Sequence, residues 1–189
     1  MAKGIREFTG VHNLSINAIH CASSRRAIST AEIIADSLNI NYIAYDDLLS
    51  TKAGKLAGMN EKDAFETNPD FIRQLYLYRK GLYNAYLFTV AEGKENKKNF
   101  ERRVTSCFRK IIKNNTQNGL VVIITHRSPI TTILIDFAKK FYDYPKKYLG
   151  YIPLDLGKVS WLKKENNNWE ICRINEHIGK ITKNIIEGY

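Results

Sequence analysis

Two apolar segments, far apart in the chain, each lead directly into a polar helix start, and this repeated pattern most constrains the fold. The first segment, 17–22, runs into the polar residues 23–26 and then into an amphipathic helix. The second, 120–125, is rich in β-branched residues and runs into 126–129 and an apolar helix. Short apolar runs of this kind are typical of parallel strands buried on both faces. The sequence therefore predicts an α/β fold, with a mainly parallel sheet and helices on both faces.

The polar residues at the two strand ends have the chemistry of a phosphate site. Arg26 lies at a helix start, where backbone N–H groups and a guanidinium together favour an anion. His126 follows the second strand, and ligands of such sheets collect at the carboxyl ends of the strands. Ser23 and Ser24 donate to the same anion or, alternatively, cap the helix. We expect Arg26 and His126 to lie close together; pairing of Arg26 with Glu32 or Asp36, and a core role for His126, are the alternatives.

Further motifs occur in an order that is itself informative. Residues 22–31 read A-S-S-R-R-A-I-S-T-A, and 121–126 read V-V-I-I-T-H. Between them lie the glycine pair of 54–58, G-K-L-A-G, and the segment E-G-K-E at 92–95, which precedes a helical pattern. A pair of alternating segments within 158–177 predicts a C-terminal hairpin. Each motif alone is weak evidence, whereas the ordered set is fairly specific.

This ordered set resembles the histidine phosphatase superfamily, which includes the phosphoglycerate mutases, and the resemblance covers nearly the whole chain. It implies phosphomonoester hydrolysis or phosphoryl transfer through a phosphohistidine, without a metal or an organic cofactor. Carried over by position, His126 is the catalytic residue that assists the phosphoryl oxygens. Arg26, His126, Arg127 and Ser23 are the expected phosphate-binding residues, with Arg127 standing where the family usually has glycine.

Two catalytic positions of the family have no counterpart here. The nucleophilic histidine belongs to an R-H-G motif, and that tripeptide does not occur in the sequence. Residues 1–8 resemble the helix start that follows the R-H-G strand, so we expect the sequence to begin after that strand and the sheet to lack it. The general acid falls at Ser50, and a serine does not protonate an alkoxide at neutral pH.

These gaps leave the enzymatic status open. The sequence favours a protein of the phosphatase and phosphoglycerate mutase lineage whose turnover is impaired or lost. The alternative is a non-catalytic protein that binds a phosphorylated ligand or a partner on the same scaffold. A relocated nucleophile is a weaker hypothesis, for which His12 is nearest in sequence; Asp47 and Glu61 are the acids nearest the position of the missing one, although neither occupies it.

Length and composition indicate a single cytoplasmic domain over residues 1–189. At 189 residues and 44% hydrophobic, the chain is long enough to bury one good core. No apolar stretch approaches the ~20 residues that a membrane helix needs, and no membrane association is expected. The three cysteines stand singly, which fits a reducing cytosol better than a disulfide framework or a zinc site.

The formal net charge of +10 bears on the partners. Lysine clusters of this kind are usually solvated faces, and they also attract anions. We expect a phosphorylated small molecule or a phosphoprotein as partner, and no nucleic acid, because recognition motifs for it are missing from the sequence. A sheet that lacks one strand exposes an edge, which invites pairing. We expect either that the N-terminal residues of the chain fill the slot or that chains associate as a homo-oligomer.

Overall fold

The computed structural model describes residues 1–16, 18–80, 82, 83, 87, 92–115, 119–141, 152, 154–165 and 168–179; at 12, 61, 137–141, 165 and 168 it describes the backbone alone. The helices are α1 (Ala2–His12), α2 (Arg25–Leu38), α3 (Glu61–Thr67), α4 (Pro69–Arg79), α5 (Lys97–Asn114) and α6 (Arg127–Phe141). The strands are β1 (Ala18–Ala22), β2 (Asn41–Tyr45), β3 (Val122–Ile124), β4 (Val159–Glu165) and β5 (Asn168–Glu176). Short 3₁₀ turns lie at Asp46–Leu48 and Gly54–Leu56.

The first three strands form one parallel sheet in the order β2-β1-β3, flanked by helices, as the sequence predicts. In the middle strand His20 lies opposite both Ile43 and Ile123. Ile19 and Cys21 of this strand are fully buried, which explains why its sequence is apolar except for His20. Because the three strands are parallel, their carboxyl ends meet at one edge of the sheet.

Local sequence explains how α2 begins and ends. The Ser24 side chain accepts a hydrogen bond from the Ala27 N–H, which caps the first turn. Asn39 adopts a left-handed conformation (φ 53°) and ends the helix, as a C-terminal cap does. The buried face is the predicted one, and it carries Ala27, Ala31, Ile34 and Ala35. The start of α2 is therefore fixed directly after β1.

The C-terminal hairpin packs on the same core as β3. Strands β4 and β5 pair antiparallel and form a sheet of their own. Leu162 and Ile171 of the hairpin pack, together with Ile123, against a cluster on α5 and α6 made of Phe100, Val104, Phe108 and Ile133. Among the described strands β3 pairs only with β1, so the expected association of chains through its outer edge stays a prediction.

One helix is shorter than its sequence pattern. Apolar spacing predicts a helix from Asp70 to Val90, whereas α4 ends at Arg79. The Lys80 N–H donates to the carbonyls of Tyr76 and Leu77 and closes the last turn. Gly81 comes next, and glycine disfavours continuation of a helix; most of 81–91 lies outside the described residues.

No helix in the described part of the chain is long and apolar enough to cross a bilayer.

A buried histidine in the middle strand gives the fold a pH dependence. His20 is 4% exposed, with Nδ1 3.1 Å from the Tyr45 hydroxyl and Nε2 3.4 Å from the Asn115 side-chain amide. Burial lowers the pKa of His20 below its ordinary value of 6.5. The folded chain therefore binds this proton less readily than the unfolded chain does.

We expect the free energy of unfolding to fall as the pH drops below about 6.5, because the unfolded state then takes up a proton that the folded state refuses. Above that pH the contribution of His20 is fully present. Urea titrations between about pH 8 and pH 5 measure the slope, and H20Q flattens it. An unchanged slope in H20Q would assign the pH dependence to other groups.

Candidate phosphate-binding site

A contact between a serine and a histidine joins the two strand ends. Ser24, which follows β1, places its Oγ 2.7 Å from Nε2 of His126, which follows β3. Strands β1 and β3 are neighbours in parallel register, so the residues after them meet at the same edge. The same serine hydroxyl also accepts the Ala27 N–H at 3.4 Å. Ser24 thus has the predicted capping role and a second contact that the sequence did not reveal.

Arg26 presents a free cation beside this pair. Its side chain is exposed, and it makes no hydrogen bond or ion pair with the described residues. Arg26 forms no ion pair with Glu32 or Asp36, the two acids on α2 that were its alternative partners. Glu32 instead accepts a hydrogen bond from the Tyr42 hydroxyl at 3.0 Å. The guanidinium acts electrostatically on His126. The Arg26 guanidinium is therefore available to bind an anionic ligand.

His126 is held in its neutral form. Burial lowers the pKa of His126 below 6.5, and the charge of Arg26 lowers it further. At neutral pH the imidazole therefore has one ring nitrogen with an N–H and one with a free lone pair. A bound phosphate would offset the charge of Arg26 and favour the protonated form.

The start of α2 adds backbone donors to the same place. The first N–H groups of a helix have no partner within it, and those of Arg25 and Arg26 bond to no other described residue. They carry the partial positive charge of the helix N-terminus. Together with the Arg26 side chain they form a cationic cradle next to Ser24 and His126.

The other two predicted phosphate ligands are engaged elsewhere. Ser23 donates its hydroxyl to the Asp46 carboxylate, and its N–H donates to the Tyr45 carbonyl at 3.1 Å. Arg127 is exposed, and its Nε donates to the Leu154 carbonyl at 3.1 Å. Asp46 was not a sequence candidate, although it directly follows β2 and so occupies the third strand end at this edge. The structure groups Ser24, Arg26 and His126, and it leaves phosphate contacts of Ser23 and Arg127 as predictions.

A buried ion pair fixes the loop that follows Asp46. Arg103 of α5 forms two parallel bonds with Glu95, from Nε to Oε1 and from Nη2 to Oε2, each of 2.7 Å. The two side chains are only 16% and 12% exposed. The charge-assisted bonds from Arg103 lower the pKa of Glu95 below its ordinary value of 4.5. The Glu95 carboxylate is therefore ionised throughout the neutral range.

The same guanidinium holds the backbone of the loop. Arg103 Nη1 donates to the carbonyls of Asp47 and Leu49 at 2.9 Å, and Nη2 donates to the Ser50 carbonyl at 3.0 Å. Thr125, at the end of β3, donates its hydroxyl to the Leu48 carbonyl at 2.6 Å. The loop that contains Ser50 is thereby anchored at the edge where the strands end. The one signal in the sequence for the ion pair between Arg103 and Glu95 is that the two residues are only eight positions apart.

Comparisons with known proteins agree with this architecture. A family model described as the histidine phosphatase superfamily, branch 1, matches residues 5–177. YhfR of Bacillus stearothermophilus has 16% identity and a TM-score of 0.71, over 93% of this chain and 81% of that one. A mycobacterial glucosyl-3-phosphoglycerate phosphatase, solved with inorganic phosphate, has 15% identity and a TM-score of 0.71, over 94% and 84%.

A third solved structure, the α-ribazole phosphatase of Shigella flexneri, has 14% identity and a TM-score of 0.66, over 93% of this chain and 83% of that one. At such identities the three structures support the fold alone. No curated protein sequence matches the chain.

Proposed function

Because the chain belongs to the histidine phosphatase superfamily, we propose that it binds phosphate monoesters at the edge formed by Ser24, Arg26 and His126, and that it hydrolyses ordinary monoesters poorly. The observation that carries the binding proposal is the free guanidinium of Arg26 beside the Ser24–His126 contact. A cation without a partner among the described residues, a helix N-terminus and a neutral histidine with one ring N–H suit the oxygens of a phosphate group.

Impaired hydrolysis follows from what occupies the catalytic positions. The R-H-G motif does not occur in the sequence, and Ser50 stands where the superfamily resemblance expects an acid. Ser50 is exposed in the loop that Arg103 anchors, and a hydroxyl there does not supply the proton that an alkoxide needs to leave. The site retains groups that bind and stabilise phosphate while lacking groups that cleave it.

The nature of the ligand and its compartment extend this proposal. Two of the structural neighbours are named glucosyl-3-phosphoglycerate phosphatase and α-ribazole phosphatase. We take a phosphorylated organic molecule of this general kind as the ligand class. Cys21, Cys107 and Cys172 are free thiols, which suits the reducing cytoplasm as the place of action.

Removing the guanidinium tests the binding site. We expect R26A to weaken the binding of inorganic phosphate about 10- to 150-fold, because one charge-assisted contact is worth roughly 1.5–3 kcal/mol. Isothermal titration calorimetry at low ionic strength measures the change. Stability should hardly alter, since the exposed side chain has no partner among the described residues.

The neighbouring arginine provides a matched control. Arg25 is equally exposed and lies one position earlier on the same helix. R25A removes the same formal charge, so it should reproduce only the general electrostatic part of the effect. Equal losses in R25A and R26A would mean that phosphate responds to net charge and not to a site.

A further inference from the structure

From the Ser24–His126 contact we infer that Ser24 is a nucleophile that accepts a phosphoryl group from activated donors such as acyl phosphates. The inference rests on the proposed function, because it needs phosphate to be held at this edge of the sheet. It goes further by assigning a covalent step to a residue that had only a capping role in the sequence. Three arguments support it: the contact between Ser24 and His126, the positive charge of Arg26 and the start of α2, and the chemistry of the leaving group.

The Ser24–His126 contact has the length that activation of a hydroxyl requires. Ser24 Oγ lies 2.7 Å from His126 Nε2, and in the tautomer that carries its N–H on Nδ1 the ring accepts the serine O–H, while Ser24 Oγ accepts the Ala27 N–H at 3.4 Å. His126 is neutral, because burial and the charge of Arg26 both disfavour its protonated form. A hydroxyl that donates to a neutral imidazole is the arrangement in which a general base activates a serine.

The surrounding positive charge suits a phosphoryl group and its transition state. Arg26 lies close enough to His126 to act on it electrostatically. The N–H groups that begin α2 are adjacent to Ser24 in the chain and bond to no other described residue. Preorganised donors of this kind stabilise the negative charge on the equatorial oxygens of the transferring group.

The proton requirement of the leaving group explains why the phosphoryl donor must be an activated one. Ser24 Oγ forms a bond to phosphorus while the bond from phosphorus to the acyl oxygen breaks, and the hydroxyl proton passes to His126 Nε2. The carboxylate departs as a stable anion and takes no proton. An alkoxide would need one, and Ser50, at the position of the family acid, does not provide it. The products are phosphoserine at position 24 and a free carboxylate.

Incubation of the whole chain with acetyl phosphate tests the assignment. We expect the intact mass to increase by one phosphoryl group per chain, and fragmentation of the tryptic peptide that ends at Arg25 to place the group on Ser24. H126Q should slow labelling at saturating donor about 100-fold or more, because a general base contributes that much or more. S29A, on the same helix, should label like the unaltered chain.

Variants at position 24 separate chemistry from folding. S24N keeps an oxygen that caps α2 and has no hydroxyl to phosphorylate. Its circular dichroism and urea denaturation should match those of the unaltered chain, and it should remain unlabelled. Labelling at Ser23 or at another residue, persistence of the label in S24N, or no labelling of the unaltered chain would each overturn the assignment. Phosphate binding by the unaltered chain is measured separately, so its failure would refute the proposed function and not be mistaken for failure of the covalent step.

Discussion

Replacing Arg103 with methionine is expected to lower the free energy of unfolding by about 3–5 kcal/mol, the usual cost of leaving one member of a buried ion pair without its partner. The variant leaves Glu95, which is 12% exposed, with its carboxylate uncompensated. It also frees the carbonyls of Asp47, Leu49 and Ser50 from their common donor. Urea denaturation monitored by circular dichroism measures the loss.

Two comparisons show whether the loss comes from the ion pair. R102M, one position earlier on α5, removes an exposed arginine whose guanidinium donates to the Asn99 side chain and to no other residue in the described part of the chain, and it should change stability very little. The double variant R103M/E95Q removes both charges and should recover part of the stability. The stabilisation by Glu95 should also vanish as the pH falls through the lowered pKa of its carboxyl. Equal effects of R102M and R103M would contradict this account.

Hydrolysis of an alkyl phosphomonoester such as glycerol phosphate is expected to be several powers of ten slower than in a catalytically complete member of the superfamily. Loss of a covalent nucleophile lowers the rate by that much, because the groups that only bind phosphate provide a small part of the rate enhancement. Release of inorganic phosphate by the purified 189-residue chain measures the rate. R26A, purified in parallel, identifies any contribution from a contaminating phosphatase, since that would not respond to the substitution.

The same assay addresses a relocated nucleophile. Robust hydrolysis by the unaltered chain that H12A abolishes would show that the histidine at the end of α1 has taken over the role. Robust hydrolysis that H12A leaves intact would contradict the expected impairment and point to a different catalytic group. The weak rate that we expect should be insensitive to H12A.

The parts of the fold that the sequence predicts are those with a strong local signal. The buried strand β1, the half-buried strand β3, the capped start of α2 and the amphipathic α5 each follow from apolar spacing and from a polar residue at a boundary. The parallel direction of the strands follows from the helices that separate one apolar run from the next. The candidate site is predicted for the same reason, since Arg26 and His126 each stand at a predicted strand end.

The contacts that complete the site lie beyond such a prediction because they join residues without a shared local pattern. Ser24 was expected to cap a helix, and nothing in its sequence neighbourhood shows that His126 approaches its hydroxyl. Arg103 looks like one of several basic residues on α5, yet it organises a loop some fifty positions earlier. Asp46 and Ser23 meet only because β1 and β2 are in register. Tertiary geometry decides these partners.

The distance along the chain between Ser24 and His126 has a consequence for folding. The two residues are 102 positions apart, so their contact forms only after a long loop has closed and β3 has paired with β1. The proposed phosphate site exists at the assembled edge and not at the separate strand ends. Binding there should therefore oppose unfolding by mass action, and we expect protection of β1 and β3 amides from hydrogen exchange to rise together as phosphate is added.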